Sequence, residues 1–160
     1  MNRSHSFWKR IRIISVLLGV VSIMTIMGCA TIGPKYSTVR NDIAVLSEEQ
    51  GRVIFYRPSG LYGAAMRPDI LLNGRKVGRS RPGTIFYVDV DPGKHQVTVP
   101  AILYPGESTI DIDVRQNETV YVKTSMGGSA FGGRTNVEMV SFEQAMTEID
   151  DLEFMTEPTK

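Results

Sequence analysis

The chain has 160 residues, a formal net charge of +1 at pH 7, 42% hydrophobic residues and one cysteine. That length suits a single domain with a sizeable core. The near-balanced charge argues against a strongly basic nucleic-acid binder, and one cysteine excludes an internal disulfide.

The first residues are basic, with Arg3, Lys9, Arg10 and Arg12 and no acid. Such a start holds an N-terminus on the cytoplasmic side of a membrane. Ile13 to Ile26, "IISVLLGVVSIMTI", is apolar apart from Ser15, Ser22 and Thr25. It is short for a membrane-spanning helix, which needs about 20 residues, and fits a signal-peptide core. Ile26-Met27-Gly28-Cys29 follows and resembles the lipobox of bacterial lipoproteins. Gly28 is small where a peptidase must close on extended backbone, and Cys29 stands where the lipid is attached. An inert core cysteine behind an uncleaved helix is the rival reading; the order of basic, apolar and small-Cys zones favours the lipobox. Cleavage removes four basic residues and no acid, which takes the 18 Lys and Arg to 14 against 17 Asp and Glu, a charge of −3. The expected organisation is a lipoprotein signal peptide over 1–28, the lipidated cysteine and a tether over 29–50, and a folded domain over 51–160. As random coil, the tether would hold that domain roughly 20 to 25 Å from the bilayer. Ala30 is the residue that sorting machinery would read; a small neutral residue there implies release to the outer membrane.

From Gly51 the pattern turns to short alternating runs. "RVIFYRP" opens as a strand, and "DILLNGRKVG" carries Asn73-Gly74, a strong hairpin signal. In "TIFYVDVDPGKHQVTV", Phe86, Val88 and Val90 share one face and Tyr87, Asp89 and Asp91 the other, before a turn at Pro92-Gly93 leads to Val97 and Val99. "STIDIDVRQNETVYVKT" repeats the device: Ile110, Ile112 and Val114 point inward, Gln116-Asn117 turns, and Val120 and Val122 point inward with Lys123 outward and tolerant of change. "TNVEMV" is a last strand. Six or seven such strands predict a mainly β chain, an antiparallel β-sandwich. "SFEQAMTEIDDL" then spaces Phe142, Ala145, Met146, Ile149 and Leu152 as one short C-terminal amphipathic helix, with Ser141 and Gln144 as a capping signature.

The stretch "GRVIFYRPSGLYGAAMRPDILLNGRKVGRSRPGTIFYVDVDPGKHQVTV" resembles small bacterial lipoproteins grouped as domain of unknown function 2846, from about Gly51 to the end. Within it "LNGRKVGRSRPGTIFYVDVDPGKHQV" also resembles the PEGA-type surface β-domain. The resemblance implies a β-sandwich on a lipid anchor, with no established activity and no catalytic residue to carry over.

Candidate sites are few. His95 is the one histidine left after cleavage, without a second His or a free Cys for metal or catalytic work; a structural hydrogen bond beside the turn is expected. Asp111 and Asp113 share a strand face but lack the further oxygen ligands calcium needs. "SMGGSAFGGR", 125–134, matches no phosphate-binding pattern and reads as a mobile loop between strands. No catalytic residue, metal or cofactor is assigned. The loop "RPSGLYGAAMRP" presents Arg57, Leu61, Tyr62, Met66 and Arg67. It is either a contact surface for an envelope protein or cell-wall glycan or a flap folded back over the sandwich end, the second being preferred. Arg57, Arg67, Arg75, Lys76, Arg79 and Arg81 face only Asp69, whereas Glu138, Glu143, Glu148, Asp150, Asp151, Glu153 and Glu157 meet no base before Lys160. Either the basic stretch meets anionic headgroups or wall polymer, or the two regions neutralise each other, which is preferred. The expected protein is a non-catalytic binding or assembly module, held by lipid on the periplasmic face of the outer membrane, without nucleic-acid partners.

Overall fold

The computed structural model describes residues 33–102, 106–129 and 132–155. Gly28, Cys29 and Ala30, and with them the expected signal peptide and lipid site, lie outside the described residues. The strands are β1 (Gly51–Arg57), β2 (Asp69–Leu72), β3 (Arg75–Arg79), β4 (Thr84–Val90), β5 (Gly93–Pro100), β6 (Glu107–Val114), β7 (Thr119–Ser129), β8 (Gly132–Val140) and β9 (Glu153–Phe154). The described residues also form two helices, α1 (Tyr36–Val39) and α2 (Phe142–Ile149). One sheet has five strands in the order β8-β7-β1-β4-β9, and the other has four, β3-β2-β5-β6. The chain is mainly β, a two-sheet sandwich with one short helix near the C-terminus.

Strand alternation decides which side chains meet between the sheets. Val53, Phe55, Phe86, Val90, Val120 and Val122 of the larger sheet pack on Ile70, Leu72, Val97, Val99, Ile112 and Val114 of the smaller, each worth about 1.5–3 kcal/mol on full burial. Phe55 and Phe86 stack with ring centroids 5.3 Å apart. Gly78 of β3 lies so close over the Phe86 ring that a Cβ there would strike it. The hairpin at Asn73-Gly74 forms as expected, with φ of 51° and 78°, the positive pair a type I′ turn demands.

The sheets are not purely antiparallel: β1 pairs with β7 in parallel, and β4 with β9. The cause lies in the turns at Pro92-Gly93 and Gln116-Asn117. Each passes the chain from one sheet to the other, since β4 and β7 belong to the larger sheet and β5 and β6 to the smaller. With one true hairpin between them, β7 returns to the larger sheet running in the direction of β1. Within the glycine-rich stretch, 125–129 and 132–134 are strand rather than loop: Ser125 pairs with Asn136, Met126 with Thr135 and Gly127 with Arg134.

The outer face of the larger sheet carries a second apolar layer. Ile54, Tyr56, Ile85 and Tyr121 lie under Ala145, Ile149, Leu152, Phe154 and Tyr36, so β1 is buried at all seven positions. The helix starts where expected, the Ser141 hydroxyl accepting from the Gln144 N–H at 3.2 Å. Phe142, expected on its apolar face, is 58% exposed and only edges against Tyr121. The expected tether is likewise part of the body from Gly33 onward. Lys35 bridges Glu153, the Phe154 N–H donates to the Pro34 carbonyl at 2.8 Å, and the Tyr36 N–H donates to Leu152 at 2.8 Å. Tyr36 is buried, a use of one aromatic that composition alone does not announce.

Candidate functional site

Arg57 ends β1 and is 4% exposed. Its Nη1 donates to the carbonyls of Met66 at 3.0 Å and Ser80 at 3.2 Å, and its Nη2 to those of Gly63 at 3.0 Å and Tyr62 at 3.4 Å. Among the described residues it pairs with no carboxylate. Burial lowers its pKa from the ordinary value, yet a guanidinium stays charged at physiological pH. Carbonyl dipoles balance the charge and cinch the 58–67 loop onto the sandwich end, and Arg57 is buried instead of lying on the surface. Leu61, at 98%, stands fully in solvent; Tyr62 and Arg67 are exposed and Met66 is half-buried.

On the outer face of the larger sheet, Arg52 and Asp89 are cross-strand neighbours on β1 and β4. Arg52 Nε and Nη2 donate to the two Asp89 oxygens at 2.6 and 2.8 Å, Nη2 also donates to the Ala44 carbonyl at 2.9 Å, and the guanidinium lies 4.0 Å over the Tyr87 ring. The hydrogen bond that Arg52 donates to Asp89, more than the charge alone, raises the Arg52 pKa. The group floors a cleft of about 230 Å³ between the 43–46 segment and the sheet, walled by Tyr36, Ile43, Leu46, Tyr121 and Phe154. Sequence reasoning put Asp89 on the correct face and missed its partner. A charged residue opening an otherwise apolar strand, opposite an acid in the next, was the available signal.

Glu148 of α2 accepts from Lys123 Nζ at 2.7 Å and from the Tyr56 hydroxyl at 2.9 Å. Burial alone would raise its pKa; Lys123 and Tyr56 more than offset that, and the net direction is down. Burial, then the Glu148 contact, raises Tyr56. A carboxyl held below its unfolded value contributes stability that is complete above the ordinary 4.5 and is lost as pH falls through the folded value. Glu148→Gln should therefore flatten the loss of stability between about pH 5 and pH 3. Asp69, lowered by Lys76 and Arg79 against its own burial, keeps part of the slope in the variant. Thermal melts across that range check this; identical slopes would uncouple Glu148 from folding.

His95 makes the structural bonds expected of it. Its Nε2 lies 2.8 Å from the Asp91 carbonyl and must donate there, leaving Nδ1 to accept from Asn73 Nδ2 at 2.9 Å. Asn73 Oδ1 in turn accepts from the Gln96 N–H. Asp111 and Asp113 are exposed, and among the described residues no group of three or more His, Cys, Asp or Glu could hold a metal ion.

The expected neutralisation of the basic stretch by the acidic end does not occur among the described residues. Asp150 pairs with Arg40 at 3.4 Å, Asp151 with Lys35 at 2.6 Å and Glu148 with Lys123. Lys76 and Arg79 both turn to Asp69 at 3.0 Å. The C-terminal acids instead dock the segment that precedes β1.

Comparison with known proteins adds three findings. The model of the family described as "Protein of unknown function (DUF2846)" matches residues 47–134. A Haemophilus influenzae protein described as "Uncharacterized protein" is 25% identical over 150 residues, 91% of this chain and 86% of that one. No solved structure matches the chain.

Proposed function

Since the chain belongs to the DUF2846 family of proteins of unknown function, whose description carries no activity, we propose from its own residues that it is a lipid-anchored cell-envelope protein. In this reading it acts as a non-catalytic binding or assembly module on the periplasmic face of the outer membrane. The observation that carries the reading is the N-terminal order of basic residues, a short apolar run, Gly28 and Cys29. Two features of the domain support the non-catalytic part. The buried charges Arg57 and Arg52 are spent on loop carbonyls and on Asp89, and His95 is spent on Asp91 and Asn73. No nucleophile with an adjacent base stands among these groups.

A cell-wall glycan or peptidoglycan reader is one form of such a module, and the exposed Tyr62 ring with Arg67 supports it. An accessory subunit of an envelope complex is the other, supported by Leu61 held out in solvent on a cinched loop. Cys29→Ser should abolish incorporation of a fatty-acid analogue and leave a longer precursor; label retained by that variant would overturn the anchor. Ala30→Asp should move the protein from the outer- to the inner-membrane fraction of a density gradient with the domain still folded. An acyl chain contributes about 0.8 kcal/mol per buried CH₂ in either bilayer, so the choice between membranes must be read from residues beside the lipid.

A further inference from the structure

Resting on the anchored reading, we propose that the β3 edge of the sandwich is a membrane-facing surface that docks on anionic lipid headgroups. Three observations converge on that edge. The first is position: β3 ends the smaller sheet and β9 ends the larger one. Both ends lie on one side of the sandwich, because Gly78 of β3 faces Phe86 of β4 and β4 is the neighbour of β9.

The second is where the described chain begins. Pro34 and Lys35 run along β9, bonded to Phe154 and bridged to Glu153. Whatever their conformation, the four Cα-to-Cα steps from Cys29 to Gly33 reach at most about 14 Å. A lipid on Cys29 therefore cannot hold this side of the domain far from the headgroups. That reach is comparable to the Debye length of about 10 Å at 0.1 M salt, so charges here lie within range of a surface potential.

The third is charge. Arg75, Lys76 and Arg79 are exposed on β3, Arg67 is exposed ahead of β2, and Arg81 follows β3 with Nη1 near Met155 Sδ. Asp69 is the carboxylate paired among them, shared by Lys76 and Arg79. Nearby on β9 stands Glu153, while Asp150 and Asp151 are taken by Arg40 and Lys35. Charged residues on an edge strand also block pairing with other sheets. Mixed signs would serve that purpose equally, whereas the charges that β3 itself carries, Arg75, Lys76 and Arg79, are all positive, and guanidinium forks match phosphate oxygens.

The test uses the full protein purified from membranes and reconstituted in vesicles of phosphatidylcholine alone or mixed with phosphatidylglycerol. Acylation of lysines is followed by mass spectrometry, with Lys94 on β5 as the internal reference. Lys76 should react at least about threefold more slowly on the anionic vesicles. High salt should remove that protection, and so should the paired change Arg75→Glu with Arg79→Glu, while the protein stays bound to the vesicles. If alkaline carbonate strips the wild-type protein from both vesicle types, the anchored reading fails. If the protein stays bound and Lys76 reacts equally on both, the surface proposal alone fails. Protection by added anionic wall polymer, with none from anionic lipid, would likewise overturn it in favour of a glycan contact.

Discussion

Val122→Asp should take away about half or more of the domain's stability. Val122 lies within β7 with no exposed surface, beside Phe55 on β1 and Met139 on β8. A carboxylate there enters the inner layer, which is apolar apart from groups already bonded elsewhere, Thr124 to Ser80 and Arg57 to loop carbonyls. Arg52 and Lys123 lie on the other face of the larger sheet with Asp89 and Glu148, so neither cation reaches it. Burying an unpaired charge costs about 4 kcal/mol or more, set against a total stability of about 5–15 kcal/mol for a domain. Urea denaturation followed by far-UV circular dichroism should show the midpoint cut by about half or lost. Lys123, which alternation marks as tolerant, is no fair comparison because it holds Glu148; Asn136→Asp on the exposed side of β8 is, with an expected cost under about 0.5 kcal/mol. Equal midpoints for the two variants would mean that the inner and outer faces of β7 and β8 are reversed.

Arg57→Met should cost about 2–4 kcal/mol and free the 58–67 loop. Methionine keeps most of the side-chain bulk, so the loss isolates the hydrogen bonds. A buried cation alone would be a liability whose removal stabilises; here its removal strips the shared donor from four carbonyls, and unsatisfied buried acceptors dominate the balance. Two measurements check it: a lower denaturation midpoint, and faster limited proteolysis between Pro58 and Arg67. Arg67→Met, on an exposed side chain, should alter both only slightly. A midpoint unchanged in the Arg57 variant would show that the loop is held by something other than the guanidinium.

These two cases mark where sequence is readable and where it stops. Period-two alternation in β6 and β7 told inside from outside correctly at Ile112, Val114, Val120 and Val122, because burial between sheets acts on each residue alone. The hairpin at Asn73-Gly74 and the Ser141 cap were legible for the same reason, being settled by a few adjacent residues. Sheet membership was not. A tight turn looks the same whether the next strand pairs with the last or crosses to the facing sheet, so the parallel pairing of β1 with β7 was hidden. Arg57 was hidden too, since a polar residue at a strand end reads as solvent-facing until the carbonyls that bind it are in place. The segment 33–46 read as a tether because its apolar residues, Tyr36, Val39, Ile43, Ala44, Val45 and Leu46, keep no sustained period and a Gly-Pro stands near its start. What holds it is backbone bonding to residues more than a hundred positions away, and no local pattern encodes that.

That distant bonding bears on timing. Lys35 and Asp151, separated by 116 positions, meet at the same sheet edge, and the Tyr36 N–H waits for the carbonyl of Leu152. Neither terminus of the domain can settle until nearly the whole chain is present. Contacts of such long range slow folding. Docking of α1 against β9 is therefore the last latch of the fold, closing only once the C-terminal residues are in place.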